Sequence, residues 1–150
     1  MTPGGQVTVE LKPTGSATFI GFLLEARSGE DDSIIGSFVT LANDGKYVNC
    51  GSKPQTAVTH VNNSPKSSVQ VKWTAPSDFV GSVKIVATFV QSYNTYWVKV
   101  PSNDVVLVKN ISLSNEENLD DIYPDYENGS QQMFCNLILY SIIIYISIYY

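Results

Sequence analysis

Apolar and polar positions alternate with period two along much of the chain, and clusters of Gly, Pro, Asn, Asp and Ser interrupt them at regular spacing. That pattern predicts short strands with one face toward a core. Residues 6–12 set Val7, Val9 and Leu11 on one face, while residues 18–26 (TFIGFLLEA) are more continuously apolar, as in a central strand covered on both faces. A polar loop over residues 27–33 leads to a third strand at 34–41, a turn at Asn43-Asp44-Gly45 and a short strand at 46–50. Residues 57–60 predict a brief edge segment, followed by the loop Asn62-Asn63-Ser64-Pro65. Val69, Val71 and Trp73 then face one way and Gln70, Lys72 and Thr74 the other.

The clearest inward face is Val83, Ile85, Ala87 and Phe89, opposite Lys84 and Thr88. Tyr96, Val98 and Val100 alternate with Trp97 and Lys99, and residues 105–108 form the last strand of the body. No segment carries a helical period. The pattern predicts an all-β chain of about eight or nine antiparallel strands, packed as two sheets face to face. Trp73 belongs in that core. The aromatics Tyr93, Tyr96 and Trp97 cannot all face inward from one strand, so residues 91–97 are the candidate contact surface.

Composition changes the picture in two places. The chain has 150 residues, nine basic and fourteen acidic, with a net charge of −5. Six of the acids, Glu116, Glu117, Asp120, Asp121, Asp125 and Glu127, stand together without a basic residue among them. Without those six, eight acids face nine bases, so the body is nearly neutral and the acidity belongs to a linker or tail over residues 111–133. A neutral body with scattered Lys and Arg lacks the clustered charge that nucleic-acid binding needs. The expected domain therefore spans residues 1–110.

Residues 134–150 (FCNLILYSIIIYISIYY) are apolar and uncharged. The run falls short of the roughly 20 residues of a membrane span and has no basic flank. Three readings stay open: a spurious terminus encoded by AT-rich non-coding sequence, a truncated membrane segment, or a buried strand. A membrane partner is expected only if the segment is genuine. At the other end, Met1 leads directly into a turn and a strand, with no basic or apolar leader.

Candidate chemistry is sparse. His60 is the only histidine, and with no visible nucleophile or ligand set beside it a structural hydrogen-bonding role is expected. Pro3-Gly4-Gly5 lacks a phosphate-loop signature and is a turn. Glu30, Asp31 and Asp32 could gather oxygens around a cation, but a solvated loop is the expected role. No catalytic, cofactor or metal residue is assigned. Asn62, Asn110 and Asn128 stand in N-x-S sequons and are glycosylation candidates, the first compromised by Pro65. Cys50 and Cys135 are the two cysteines, and whether they pair stays open.

The order PGGQVTVEL, TFIGFLLEAR, IIGSF, YVNC, AVTH, SVQVKWTAP and GSVKIVATFVQSYNTYWV, over residues 3–100, resembles the reeler domain family. The GFLLEAR, AVTH to W-x-AP and VATFVQSY to YWV segments carry most of the resemblance. It implies an immunoglobulin-like β-sandwich found outside cells. Such domains occur in small secreted defense proteins of invertebrates, in reelin and matrix proteins, and as the first module of ferric-chelate-reductase-like membrane proteins. The resemblance also implies that Cys50 pairs with a cysteine ahead of the PGG strand, in a segment that this chain does not contain. The implied function is non-enzymatic recognition of a microbial surface, a glycan or an extracellular protein, without a cofactor, in innate defense. The alternatives are a fragment of a reductase-like membrane protein, or a reelin-like matrix or signalling module.

Overall fold

In a computed structural model, residues 1–40, 43–109 and 143–148 are described. Their regular elements are all strands. These are β1 (Gln6–Pro13), β2 (Gly21–Ser28), β3 (Ser37–Thr40), β4 (Gly45–Val48), β5 (Ala57–His60), β6 (Val69–Thr74), β7 (Gly81–Ser92), β8 (Thr95–Pro101), β9 (Val105–Leu107) and β10 (Ile143–Ile148). One sheet has the order β10-β1-β6-β3, and the other runs β4-β5-β2-β7-β8 with β9 also on β7. Among the described residues no helix is long and apolar enough to cross a membrane.

The alternation in sequence becomes the core directly. Val7, Val9 and Leu11 from β1 and Val69, Val71 and Trp73 from β6 meet Val83, Ile85, Ala87 and Phe89 from β7. β1 and β6 are antiparallel neighbours in one sheet, with Val9 opposite Val71. In the other, β2 and β7 pair antiparallel over eight residues, with Phe22 opposite Phe89 and Leu24 opposite Ala87. Phe19 stands edge-on to both Phe22 and Phe89, at ring-centroid distances of 6.1 and 5.3 Å. Edge-to-face contacts of this kind add to the gain from burial. Trp73 is buried as expected, and its indole Nε1 donates to the Ile35 carbonyl at 3.1 Å.

Two expectations need correction. β5 is not an edge segment: it lies between β4 and β2, and β4 forms the edge. The strand expected over 18–26 begins at Gly21, and Phe19 instead makes an isolated bridge to Lys66. Its outer face is half-buried rather than covered, because among the described residues no third layer lies over Leu23, Glu25 and Arg27. At the C-terminus the described residues form a strand, one of the three readings left open for residues 134–150. Ile143–Ile148 forms β10, parallel to β1, with Val9 opposite Ile144 and Leu11 opposite Ile146. Ile146 joins the core. Among the described strands this pair is parallel and the others are antiparallel.

Candidate binding surface

The segment singled out by its aromatics folds as the β7–β8 hairpin, closed by a two-residue turn at Tyr93-Asn94. β8 is the outermost strand of its sheet. Its pairing with β7 is regular except at two places. Val90 pairs with Tyr96 but Ser92 with Thr95, which leaves one extra residue on β7. Ala87 pairs with Val100 but Phe89 with Trp97, which leaves one extra residue on β8. An inserted residue bends the strand and turns its side chains.

The second bulge decides what β8 shows to solvent. Lys99 adopts a left-handed conformation with φ of 55°, and its N–H donates to the Thr88 Oγ1 at 3.3 Å. Simple alternation cannot put Trp97 and Val100 on one face, since they are three residues apart. With the bulge between them, both pack against the core. Tyr96 and Val98 then face solvent, 60% and 61% exposed, and Tyr93 at the hairpin tip is 96% exposed. Of the three aromatics expected to form a contact surface, the structure thus exposes Tyr93 and Tyr96 and leans Trp97 inward.

A polar network lies beside this edge. The Arg27 guanidinium donates from Nε and Nη2 to Glu25 Oε2 at 3.0 and 2.8 Å. Its Nη1 donates to the Asp32 carbonyl at 2.8 Å and to Asp32 Oδ2 at 3.1 Å. The Lys99 ammonium approaches the same Asp32 carboxylate at 3.9 Å. The hydrogen bond to Glu25 leads the interactions that raise the Arg27 pKa above its ordinary value. Arg27 therefore ties β2 to the following loop, and through Asp32 that loop meets the bulge of β8.

The remaining candidate residues sit apart from the hairpin. Asp31 Oδ1 accepts from the Ser33 hydroxyl at 2.8 Å and the Ser33 N–H at 3.1 Å, and these bonds hold its carboxyl below the usual range. Asp31 and Asp32 thus serve hydrogen bonds and ion pairs with Ser33, Arg27 and Lys99. His60 Nδ1 accepts from the Phe22 N–H at 3.2 Å, while the Thr59 hydroxyl donates to the Phe22 carbonyl at 2.7 Å. The ring stands where the β2–β5 ladder ends, as the structural hydrogen-bonder expected.

Asn62 is exposed in the β5–β6 loop, but its Oδ1 accepts from the Ser64 N–H, the Ser64 hydroxyl and the Lys66 ammonium. Cys50 is a free thiol among the described residues, and its N–H donates to Thr56 Oγ1 at 2.8 Å. Asn110, Asn128, Cys135 and the acidic run lie outside the described residues. No group of three or more His, Cys, Asp or Glu able to hold a metal occurs among the described residues.

Two features escaped sequence reasoning. One is Lys66, a buried lysine whose ammonium donates to Asn62 O at 2.9 Å, Ser64 O at 2.8 Å and Asn62 Oδ1 at 3.2 Å. The Asn-x-Ser-Pro-Lys spacing is the signal that could have found it, because Asn commonly closes such a turn. The other is a recess of about 300 Å³ lined by Gly36, Ser37, Lys53, Pro54, Thr74, Ala75 and Pro76. Its lining carries one cation and two hydroxyls but no carboxylate, imidazole or thiol. It can accept hydrogen-bonding groups but offers no acid–base pair.

The comparisons with known proteins agree with this architecture. The family model described as the reeler domain matches residues 1–112. Putative defense protein 3 of Antheraea mylitta is 43% identical over 90 residues, covering 60% of this chain and 53% of its own length. Ferric-chelate reductase 1 of Mus musculus is 39% identical over 103 residues, covering 67% of this chain and 17% of its own length. The chain thus spans about half, or much less, of these relatives. The crystal structure of the human F-spondin reeler domain shares the fold, with a TM-score of 0.61 and 23% identity over 72% of this chain and 80% of that one. On the match over residues 1–112, this chain belongs to the reeler domain family.

Proposed function

We propose that this chain is a non-enzymatic recognition module that acts outside cells and binds a microbial surface or matrix glycan in innate defense. The observation that carries the reading is the β7–β8 edge. There the hairpin holds Tyr93 and Tyr96 in solvent while Trp97 and Val100 pack against the core. Exposed tyrosines offer an apolar face with a polar tip at low cost in side-chain entropy, which suits stacking on sugar rings or contact with a protein. The neighbouring network of Glu25, Arg27, Asp32 and Lys99 adds hydrogen-bonding groups at its border. The likeness to a defense protein supports the choice of a microbial target. Co-sedimentation of the purified chain with bacterial and fungal cells tests it. Retention that soluble cell-wall glycan competes away supports the proposal, and absence of retention at micromolar protein contradicts it.

A second reading follows from the likeness to ferric-chelate reductase 1. Here the same sandwich is one module of a longer membrane protein, and the electron transfer belongs to haem-bearing parts of that protein. A full-length transcript continuing into His-bearing apolar helices supports this reading, and a stop soon after the sandwich contradicts it.

A further inference from the structure

From the recess beside β3, we infer a second binding site, separate from the β7–β8 hairpin, that takes a single acidic sugar of the hexuronate kind. Its floor is polar by register. Phe38 and Trp73 pair across β3 and β6 and are both buried, so the next pair, Ser37 and Thr74, faces outward. Gln6 stands opposite Thr74 from β1 and donates from Nε2 to its hydroxyl at 3.2 Å. Both walls are fastened by the backbone. Lys53 and Pro54 belong to the β4–β5 loop, which is tied to β3 where the Phe38 N–H donates to the Gln55 carbonyl at 2.8 Å. Gln55 is held there with a left-handed φ of 56°. Non-glycine residues in that conformation cost energy and gather at ligand sites. On the other side the Ala75 N–H donates to the Gly5 carbonyl at 2.9 Å, and the Pro76 carbonyl accepts from the Gly4 N–H at 3.0 Å. The recess of about 300 Å³ is therefore shaped before a ligand arrives.

Three features select the ligand. The first is charge. Lys53 lines the recess and no acid does, while Lys72 lies two residues along β6 on the same face as Thr74. Among the described residues neither lysine stands within ion-pair distance of a carboxylate. An ammonium without a partner favours an anion and meets it as a point charge. The second is the pair of hydroxyls on Ser37 and Thr74, which both donate and accept, as sugar hydroxyls require. The third is the apolar wall of Pro54, Ala75 and Pro76, against which the C–H face of a ring can pack. The volume stands at the low end of ligand pockets and suits one ring rather than a chain. A neutral sugar would leave Lys53 unused. A bare inorganic anion would leave the wall and the hydroxyls unused. A carboxylate on a hydroxylated ring uses all three.

Titration of the isotope-labelled full chain with D-glucuronic acid, followed by NMR, tests the inference. The amides of Ser37, Lys53 and Thr74 should shift together, with a Kd of roughly 1–10 mM, as fits one exposed ion pair and a few hydrogen bonds. D-Glucose, which lacks the carboxylate, and inorganic phosphate, which lacks the ring, should each bind at least about threefold more weakly. Lys53→Gln alters an exposed loop residue, so its melting should match the wild type while its affinity for glucuronate falls about three- to tenfold. Ser37→Ala should weaken glucuronate and glucose alike, which a purely electrostatic site would not show. Absence of shifts at roughly 50 mM glucuronate, shifts centred elsewhere, or equal binding of glucose or phosphate would each overturn the inference. So would a folded Lys53→Gln variant that binds as tightly as the wild type.

Discussion

Gly36 passes so close beneath Trp73 that a Cβ on it would lie 2.5 Å from the indole Nε1 and 2.6 Å from the Thr74 carbonyl. Its φ of +71° places it in the left-handed region as well. This approach lets the preceding carbonyl of Ile35 accept from the indole, so the largest core side chain and the entry to β3 fix one another. Gly36→Ala meets both a clash and a strained backbone and should cost about 2–5 kcal/mol, read from urea denaturation. Gly15→Ala is the control: it has the same sign of φ (+69°) but nothing within 4 Å, and should cost only about 1 kcal/mol.

The β5–β6 loop closes around Lys66, whose three acceptors all come from Asn62 and Ser64. Lys66→Met fills similar volume but leaves the Asn62 and Ser64 carbonyls without the ammonium donor. Stability should fall by about 1–3 kcal/mol in thermal or denaturant unfolding. Protease cleavage between residues 61 and 65 should also speed up. Unchanged stability would mean that water replaces the ammonium without cost.

At Lys99 the bulge demands a left-handed residue, and lysine adopts it only with strain. Lys99→Gly should relieve that strain, while Lys99→Val should deepen it. The glycine variant should exceed the valine variant by about 1–2 kcal/mol in unfolding free energy. The lost contact with Asp32, 3.9 Å long between exposed groups, is too weak to reverse that order.

Asp31 predicts a pH dependence. Its carboxyl is held below the usual range chiefly by the Ser33 hydroxyl, so the folded chain binds this proton less readily than the unfolded one. The stabilisation is therefore complete above the unfolded value and fades as pH falls through the folded one. Between roughly pH 4 and pH 2 the wild type should lose stability more steeply than Asp31→Asn, as urea midpoints at successive pH values would show.

These particulars also mark how far the chain could be understood before its structure was known. β6 and β7 announce themselves, because Val69-Val71-Trp73 and Val83-Ile85-Ala87-Phe89 alternate cleanly and every one of those residues is buried. The interior place of β5 was hidden: strand order depends on pairing with β2 and β4, distant in sequence, and four residues carry no mark of their neighbours. The bulge at Lys99 was hidden for another reason. Alternation assumes one residue per pleat, and nothing in YWVKVP signals the extra one. β10 lies in a run that is uniformly apolar, where period carries no information and strand, helix and membrane segment look alike. The aromatic cluster was visible as a cluster, but only the bulge decides that Trp97 leans inward while Tyr96 does not.

The most direct test of recognition through the β7–β8 edge is a binding titration of the wild type and of Tyr93→Ser/Tyr96→Ser against the same cells or cell-wall glycan. Both side chains stand in solvent, so the variant should melt within about 2 °C of the wild type. The account predicts affinity at least about tenfold weaker for the variant, with its fold intact. Equal binding by the two proteins would contradict it.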